Sequence, residues 1–421
     1  MGLTPGPEKI YRPVNISCSE SFPMTTSFWR PALVLGLLSC VGPFAIDMYL
    51  PAMPEIGRDL GAAVPAMQGT ITAYFFAFGL AQLVYGPWAD QAGRKPPLYA
   101  GLAVFLIGTL ICALAGSVEM MWAGRFVQGL GGAAVMVVPR AIIRDMATGH
   151  EATRLMAAIM LVISVSPMLA PLAGSGVLAV SGWRMIFAVL GVAALISLLM
   201  IRFLLAETLA AEHRQTFALS ETLAGTRRLM GDLRFVVLTF LGGFAMASFF
   251  VFIASGPFVY ASAFGLSPTQ FSLAFAINAI GFFAASQAAA GLGQRLGAMR
   301  VVRLALTGFA AMTVLLVAIA AAGMASLPVV VGGLFLANAC LGLVIPTVMV
   351  LALDDHGAEA GLASSLGGTL QMVAGGVVVA ISAPFFDGTV MPMLVTIALC
   401  ALAALGLSFV GGRGAQAAAR S

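Results

Sequence analysis

Charge is what this sequence has least of. Only 9% of its 421 residues are Asp, Glu, Lys or Arg, against 60% that are hydrophobic. Soluble domains carry about 25% charged and about 45–50% apolar residues. So thin a charged skin cannot cover so much apolar surface in water, and lipid must be the solvent for most of the chain. Histidine is nearly missing: there are three, none paired at helical spacing, which argues against a metal-dependent membrane enzyme. No zinc-like or redox cysteine spacing occurs. Cys40, Cys112, Cys340 and Cys400 fall inside apolar runs and read as small buried side chains, while Cys18 lies in a polar tail. There is no Walker A motif, which argues against direct drive by ATP, and no Ser/His/Asp set can be argued from spacing. The net charge is +4, but the 21 basic residues are spread between apolar runs and form no patch for nucleic acid. No cofactor and no metal is expected.

What the sequence has in abundance is apolar runs long enough to span a bilayer, which takes about 20 residues. Twelve are read, near 32–53, 67–87, 97–116, 120–143, 155–179, 184–204, 234–261, 269–291, 301–322, 327–352, 360–384 and 390–411. The longest polar stretch between runs, Ala206 to Asp232, divides them six and six. The expected class is an all-α membrane protein of twelve transmembrane helices in two pseudo-symmetric six-helix bundles. The expected parts are a cytoplasmic tail over 1–30, bundles over 31–205 and 233–412 joined by a cytoplasmic linker over 206–232, and a second tail over 413–421. The first tail holds Pro5, Pro7, Pro13 and Pro23, has no apolar core of signal-peptide type, and is expected to be disordered. Met24 is an alternative start to Met1.

Orientation follows from the Lys/Arg bias of the loops. With the N-terminus inside, all basic residues except Arg58, Arg125 and Arg184 fall on the cytoplasmic side, which is 18 of 21. One cytoplasmic loop dissents, because Asp354, Asp355, His356 and Glu359 precede the eleventh span without a basic residue.

Function is sought in polar groups inside the spans. One acid, Asp47, sits well inside a run, where a charge costs about 2.5–3.5 kcal/mol on insertion scales. It reads as a proton-binding carboxylate; the alternative is a carboxylate near the outer interface that reaches water. Arg125 in the fourth run is its expected partner, or else reaches the outer headgroups. Arg125 and Gln128 are three apart and share a helix face, with glycines at 124, 129, 131 and 132 allowing close helix approach. After the second run, Gly86-Pro87-Trp88-Ala89-Asp90-Gln91-Ala92-Gly93-Arg94-Lys95 brackets a tight turn that needs Gly93. In the fifth run Pro167 and Pro171, one turn apart, with Gly174 and Gly176 beyond, suggest a flexing helix packed on the other half. An ordinary proline-kinked span is the alternative.

The string G-x-x-x-D-x-x-G-R-K from Gly86 to Lys95 resembles the signature loop of the major facilitator superfamily, and Arg125-x-x-Gln128-Gly129 resembles its fourth-span motif. Gln294, Gly297 and Arg300 form a degenerate echo of the loop in the second half, with Gln in place of the acid. Asp47-Met48-Tyr49-Leu50-Pro51-Ala52-Met53-Pro54 is similar to the first-span signature of the Bcr/CflA drug-resistance branch. So are Arg144-Asp145, Trp183-Arg184-Met185-Ile186-Phe187, Ser255-Gly256-Pro257-Phe258-Val259-Tyr260 and Phe264-Gly265-Leu266-Ser267-Pro268. The resemblance covers nearly the whole chain after residue 28. The fifth run departs from the commonest antiporter motif, G-P-x-x-G-G.

The resemblance implies a proton/drug antiporter of the bacterial inner membrane, a monomer with both termini cytoplasmic, working on small amphipathic compounds by alternating access. It makes Asp47 the proton- and substrate-linked acid, Arg125 its coupling partner, and Asp90, Gly93, Arg94 and Lys95 a cytoplasmic gate. That gate is expected to dock at the start of the eleventh span, against Asp354, Asp355 and Glu359. In this fold substrate sits between the halves near mid-membrane. The candidate contacts are Tyr49, Tyr74, Phe75, Gln128, Phe249, Phe252, Asn278, Asn338 and Gln371. Lone aromatics are more often plain packing, whereas an unpaired amide in hydrocarbon is costly. A facilitator or proton-coupled importer on the same fold, and a non-transporting membrane sensor, stay open as alternatives.

Overall fold

The computed structural model describes residues 29–147, 149–214, 219–354, 356 and 359–418. Expectations placed on residues 1–28, Asp355 and residues 419–421 lie outside that set. Among the described residues there is no strand. In lipid every backbone polar group must be satisfied within its own segment, which leaves helices as the natural form for runs this apolar.

The first half comprises α1 (Trp29–Asp47), a short α2 (Met53–Asp59), α3 (Val64–Ala92), α4 (Lys95–Ala113), α5 (Val118–Met146), α6 (Gly149–Ser181) and α7 (Arg184–Leu204). A linker helix α8 (Leu219–Gly231) follows. The second half comprises α9 (Leu233–Phe264), α10 (Pro268–Leu296), α11 (Ala298–Ala321), α12 (Leu327–Leu353), α13 (Ala360–Ser382) and α14 (Met391–Ala418). Among the described residues eleven segments are long and apolar enough to cross a membrane, the first running from Pro31 to Asp59. The helix α3, 29 residues long, is not among those eleven and stands where the sequence places its second run. Its polar side chains point into protein: Gln68 donates to Ser255 and Thr70 bonds Tyr49.

The helices overrun the apolar runs because their ends are capped in the polar flanks. Ser117 accepts from the Met120 amide at the start of α5, and Asp232 accepts from the Arg234 and Phe235 amides at the start of α9. Ser267 and Gln270 form a reciprocal capping box on α10. The linker contains the helix α8, and α14 continues to Ala418, into the residues expected to form the second tail.

Within the first half α5 packs on α3 and α4, and α6 on α1; within the second, α12 packs on α10 and α11, and α9 on α14. The internal prolines follow the same duplication: Pro43 and Pro257 in the first helix of each half, and Pro139 and Pro346 in the fourth. The halves meet along two seams. On one, α3 lies on α13, with Thr369 Oγ1 donating to the Gly79 carbonyl at 2.7 Å. On the other, α6 meets α10, with Ser272 Oγ donating to the Pro171 carbonyl at 2.9 Å.

Candidate functional site

The fourth helix of the first half carries the centre of the site. Arg125 on α5 is fully buried. Its guanidinium lies between two aromatic faces, 4.6 Å from the Tyr49 ring centroid and 4.5 Å from that of Tyr74. Its Nη1 donates to the Ala45 carbonyl at 2.9 Å and to Gln128 Oε1 at 2.6 Å. Gln128 Nε2 in turn donates to Thr109 Oγ1 at 2.8 Å, and Thr109 to the Phe105 carbonyl. The Tyr49 and Thr70 hydroxyls are 2.8 Å apart, and Tyr74 Oη donates to the Gly42 carbonyl. Gly129 makes this close packing possible, because a Cβ there would stand 2.5 Å from the Tyr74 carbonyl oxygen. A cation–π contact in a desolvated site is worth about 2 kcal/mol or more, so ring faces and carbonyl dipoles here take the place of an acid. The guanidinium is nevertheless incompletely satisfied, with buried Nε and Nη2 lacking partners.

Asp47 ends α1 and is 5% exposed. It falls near the middle of the Pro31–Asp59 crossing. The expected direct pairing of Asp47 with Arg125 is absent from this conformation. Among the described residues the Asp47 carboxyl has no ion pair or hydrogen bond, and Arg125 binds the carbonyl of Ala45, two residues earlier, in its place. The two residues thus lie on neighbouring helices, α1 and α5, without pairing.

A second polar cluster closes the other end of the first half. Gly93, at φ 97°, turns the chain between α3 and α4 in a conformation suited to glycine. Arg94 is 5% exposed and held on three sides: Nη1 to Asp90 Oδ1 at 2.5 Å, and a fork from Nε and Nη2 to both oxygens of Asp145 at 2.7 and 3.1 Å. Burial disfavours its charge, but Asp145 and Asp90 outweigh that and hold the guanidinium above its ordinary pKa. Glu207, just past α7, accepts the backbone N–H groups of Arg94 and Lys95 at 2.8 and 3.1 Å and those of Thr208 and Leu209. Burial alone would raise its carboxyl; those four amides hold it below the ordinary carboxylate range. Lys95 Nζ donates to the Leu205 carbonyl, and Thr208 Oγ1 to Asp145.

The expected docking of this loop on the eleventh span is therefore corrected. Glu359 is paired with Arg228 of α8, Asp232 faces His356 at 3.1 Å, and Asp354 is exposed. Arg94 is already occupied by Asp90 and Asp145, both of its own half. Sequence spacing does not mark Asp145, Glu207 or Thr208 as gate residues. Glu207 lies 113 residues from Arg94, and no spacing signal joins them; only the Arg144-Asp145 pair was visible as a string.

The remaining candidates do not converge on one chamber. Phe75 stacks on Phe250 across the junction of the halves, centroids 3.9 Å apart. Phe252 stacks on Phe275, and Phe249 on Phe282, within the second half. Asn338 Nδ2 donates to Asn278 Oδ1 at 3.3 Å, and Asn278 Nδ2 to the Ala274 carbonyl. Gln371 on α13 lies against Gly242 of α9. In α6, which runs unbroken through Pro167 and Pro171, Gly174 faces not the other half but Met48 of its own. A Cβ there would stand 2.2 Å from the Met48 carbonyl oxygen. From the same helix, the Pro171 carbonyl accepts a hydrogen bond from Ser272 of the other half.

Comparison with known proteins agrees with this architecture. The sequence profile described as Major Facilitator Superfamily matches residues 35–380. The MFS-type transporter YdgK of Bacillus subtilis is 33% identical over 350 residues, 82% of this chain and 87% of the relative. The bicyclomycin resistance protein homolog of Haemophilus influenzae is 29% identical over 87% of this chain and 92% of its own length. The Escherichia coli multidrug resistance protein D matches at 36% over 36% of this chain and 39% of its own. Among solved structures, a D-xylose–proton symporter superposes with a TM-score of 0.73 at 15% identity, covering 91% of this chain and 97% of that one. A bacterial homolog of the human lysosomal transporter Spinster, inward-facing and occupied, gives 0.71 at 15%, covering 91% and 96%. The chain is a multi-pass membrane transporter and not an enzyme; it belongs to the Major Facilitator Superfamily, with relatives in the Bcr/CflA drug-resistance branch.

Proposed function

We propose that this chain exports small amphipathic compounds in exchange for protons, by alternating access between the bundles 31–205 and 233–412. It does so as a monomer in a bacterial inner membrane with both termini cytoplasmic. The observation that carries the reading is Asp47, a buried carboxyl without a cationic partner midway along the first crossing, two residues past the carbonyl that a buried, acid-free arginine binds. Charge at such a place is costly. Proton uptake removes the Asp47 charge and proton release restores it, so occupancy by a proton and by cargo can be made exclusive.

Arg125, with Tyr49, Tyr74 and Gln128, is the fixed wall against which Asp47 works. Phe75, Phe249, Phe252, Asn278, Asn338 and Gln371 provide apolar and amide surface in the facing helices, in keeping with drug pockets that are mostly apolar with a few oriented polar groups. The Asp90–Gly93–Arg94–Lys95 turn, with Asp145 and Glu207, is the cytoplasmic gate element. Its partners all belong to the first half and linker, so it acts by holding α3, α4 and α5 together while the halves tilt. Pro167, Pro171 and Gly174 let α6 pack tightly on its own half while offering a carbonyl to the other.

The driving force is adequate. One inward charge yields about 2.3 kcal/mol per 100 mV, and one pH unit about 1.4 kcal/mol. Together these support roughly several-hundred-fold accumulation of a neutral cargo per proton. The names of relatives, a bicyclomycin resistance protein homolog, a chloramphenicol resistance protein and a multidrug resistance protein D, support export of drug-like molecules. The test is transport in proteoliposomes under an imposed pH gradient. Asp47→Asn is expected to lose uphill, proton-driven movement; uphill transport at the wild-type rate by that variant would overturn the reading.

A further inference from the structure

At the end of the molecule opposite the Arg94 cluster, the two halves flank a partly open cavity of ≈ 730 Å³ whose lining includes neither Asp47 nor Arg125. Ligand pockets commonly measure about 300–1,000 Å³. One wall is α2; the other is the end of α9 and the start of α10, joined by Phe386 after α13. Phe258, Phe271 and Phe386 supply ring surface, with Ala261 among them. About a turn deeper along the same seam, Gln68 Nε2 donates to Ser255 Oγ at 3.1 Å and ties the halves together.

Charge enters this cavity from α2 alone, through Glu55 and Arg58. Glu55 is half-buried and Arg58 exposed. Among the described residues neither side chain has a hydrogen bond or ion pair, whereas their neighbour Asp59 is taken by Trp183 Nε1 at 3.0 Å and Arg184 at 2.9 Å. A half-buried carboxylate beside phenyl faces is short of a cation. An exposed guanidinium keeps its water. The surrounding end of the protein is also acidic in balance, with Glu55, Asp59, Glu119 and Asp387 against Arg58 and Arg184, which raises the local concentration of cations.

We propose that this cavity is a second ligand site, for cationic amphipaths with an aromatic body, separate from the Asp47–Arg125 centre. The cation sits at the Glu55 carboxylate and the rings lie on Phe258, Phe271 and Phe386, where cation–π attraction adds to ring packing. The site faces the outside in the orientation proposed above and rests on it. Its walls belong to different halves, so a bound ligand favours the conformer in which they are together.

The test uses the full-length chain in right-side-out vesicles, with its five native cysteines replaced by alanine and Ala261→Cys as reporter. Modification of that thiol by an impermeant maleimide is followed with two probes of equal shape and opposite charge, tetraphenylphosphonium and tetraphenylborate. The cation is expected to protect the thiol and the anion not to. Glu55→Gln is expected to raise the protecting concentration about tenfold, the loss of one charge-assisted contact. Equal protection by both probes, or protection insensitive to Glu55→Gln, overturns the proposal. Thiol protection reads binding without transport, and Asp47→Asn is scored only for proton-driven transport, so failure of the coupling reading and failure of this one are read separately. Phe386→Ala, at a half-buried ring, gives an independent variant with the same expected weakening.

Discussion

Gln128 stands one helical turn beyond Arg125 on α5, and its Oε1 accepts a 2.6 Å hydrogen bond from Arg125 Nη1. The same amide passes its own N–H to Thr109 on α4. An arginine with no acid beside it is thereby locked to two helices, while Tyr49 and Tyr74 cover its faces.

That lock makes Arg125→Lys a severe change. A lysine keeps the charge but loses the planar stack between two rings, and its shorter-reaching ammonium replaces the Nη1 that bonds both Gln128 and the Ala45 carbonyl. Proton-driven transport in proteoliposomes is expected to fall by about tenfold or more, since each lost desolvated cation–π contact is worth about 2 kcal/mol. Wild-type rates in the lysine variant would mean that position 125 contributes only charge.

The Arg94 cluster predicts a stability effect. Removing the guanidinium in Arg94→Ala leaves Asp90 and Asp145 facing each other without their shared cation. Asp90 is substantially exposed and Asp145 mostly covered, so the expected loss is about 2 kcal/mol rather than the larger value of a fully buried pair. Thermal unfolding in detergent checks it. The double variant Arg94→Ala with Asp145→Asn is expected to recover part of the loss.

Glu207 gives that cluster a pH dependence whose sign is fixed. Four amide donors hold its carboxyl below the ordinary range, which for glutamate is about 4.3 in the unfolded chain. The stability it contributes is fully present above that unfolded value and is lost as pH falls through the lower folded value. Wild type is expected to be more stable than Glu207→Gln at neutral pH, the difference shrinking below about pH 4. A constant difference from pH 7 to the acid limit would show that Glu207 acts through shape alone.

These cases show why some of the molecule was legible in the sequence and some was not. Runs of apolar residues announced the crossings, because lipid leaves a helix no choice but to be apolar on its exposed sides. The helix α3 is the instructive one: it is not among the eleven segments apolar enough to cross by composition, and its Gln68 and Thr70 serve interior partners. Local strings revealed Asp90, Gly93, Arg94 and Arg125, whose chemistry is carried by spacing. Glu207 was invisible as a partner, because what it does depends on where α7 ends relative to α4. The loop-to-α13 docking failed for a related reason: charge patterning along the chain shows which groups need partners but not which partner arrives first. Asp145 arrives first at Arg94, and Arg228 at Glu359.

The seam between halves offers a mechanical test. A Cβ on Gly79 would stand 2.9 Å from the Met372 Cβ, tighter than real side chains tolerate, and Met372 is attached to a packed helix at that point. Gly79→Val is expected to push α3 and α13 apart and shift the balance between conformers. Distance distributions between spin labels on the two halves would show it. An unchanged distribution would mean that the seam yields elsewhere.

The last prediction concerns the paired amides. Asn278 and Asn338 were expected from sequence to face cargo, yet in this conformation they bond each other and a backbone carbonyl. If their work is structural, Asn278→Ala leaves the Asn338 amide unpaired in an apolar setting and costs about 1–3 kcal/mol. The double replacement by alanine then costs less than the sum of the singles, because no orphaned amide remains. If cargo breaks the pair during transport, the single variants instead change the ranking of exported compounds at little cost to stability. Unfolding measurements on the double-mutant cycle, read beside a panel of exported compounds, separate the two outcomes. The short path from Asn278 to the Ala274 carbonyl favours the first, since an amide already bonded on both its groups has little left to offer a passing ligand.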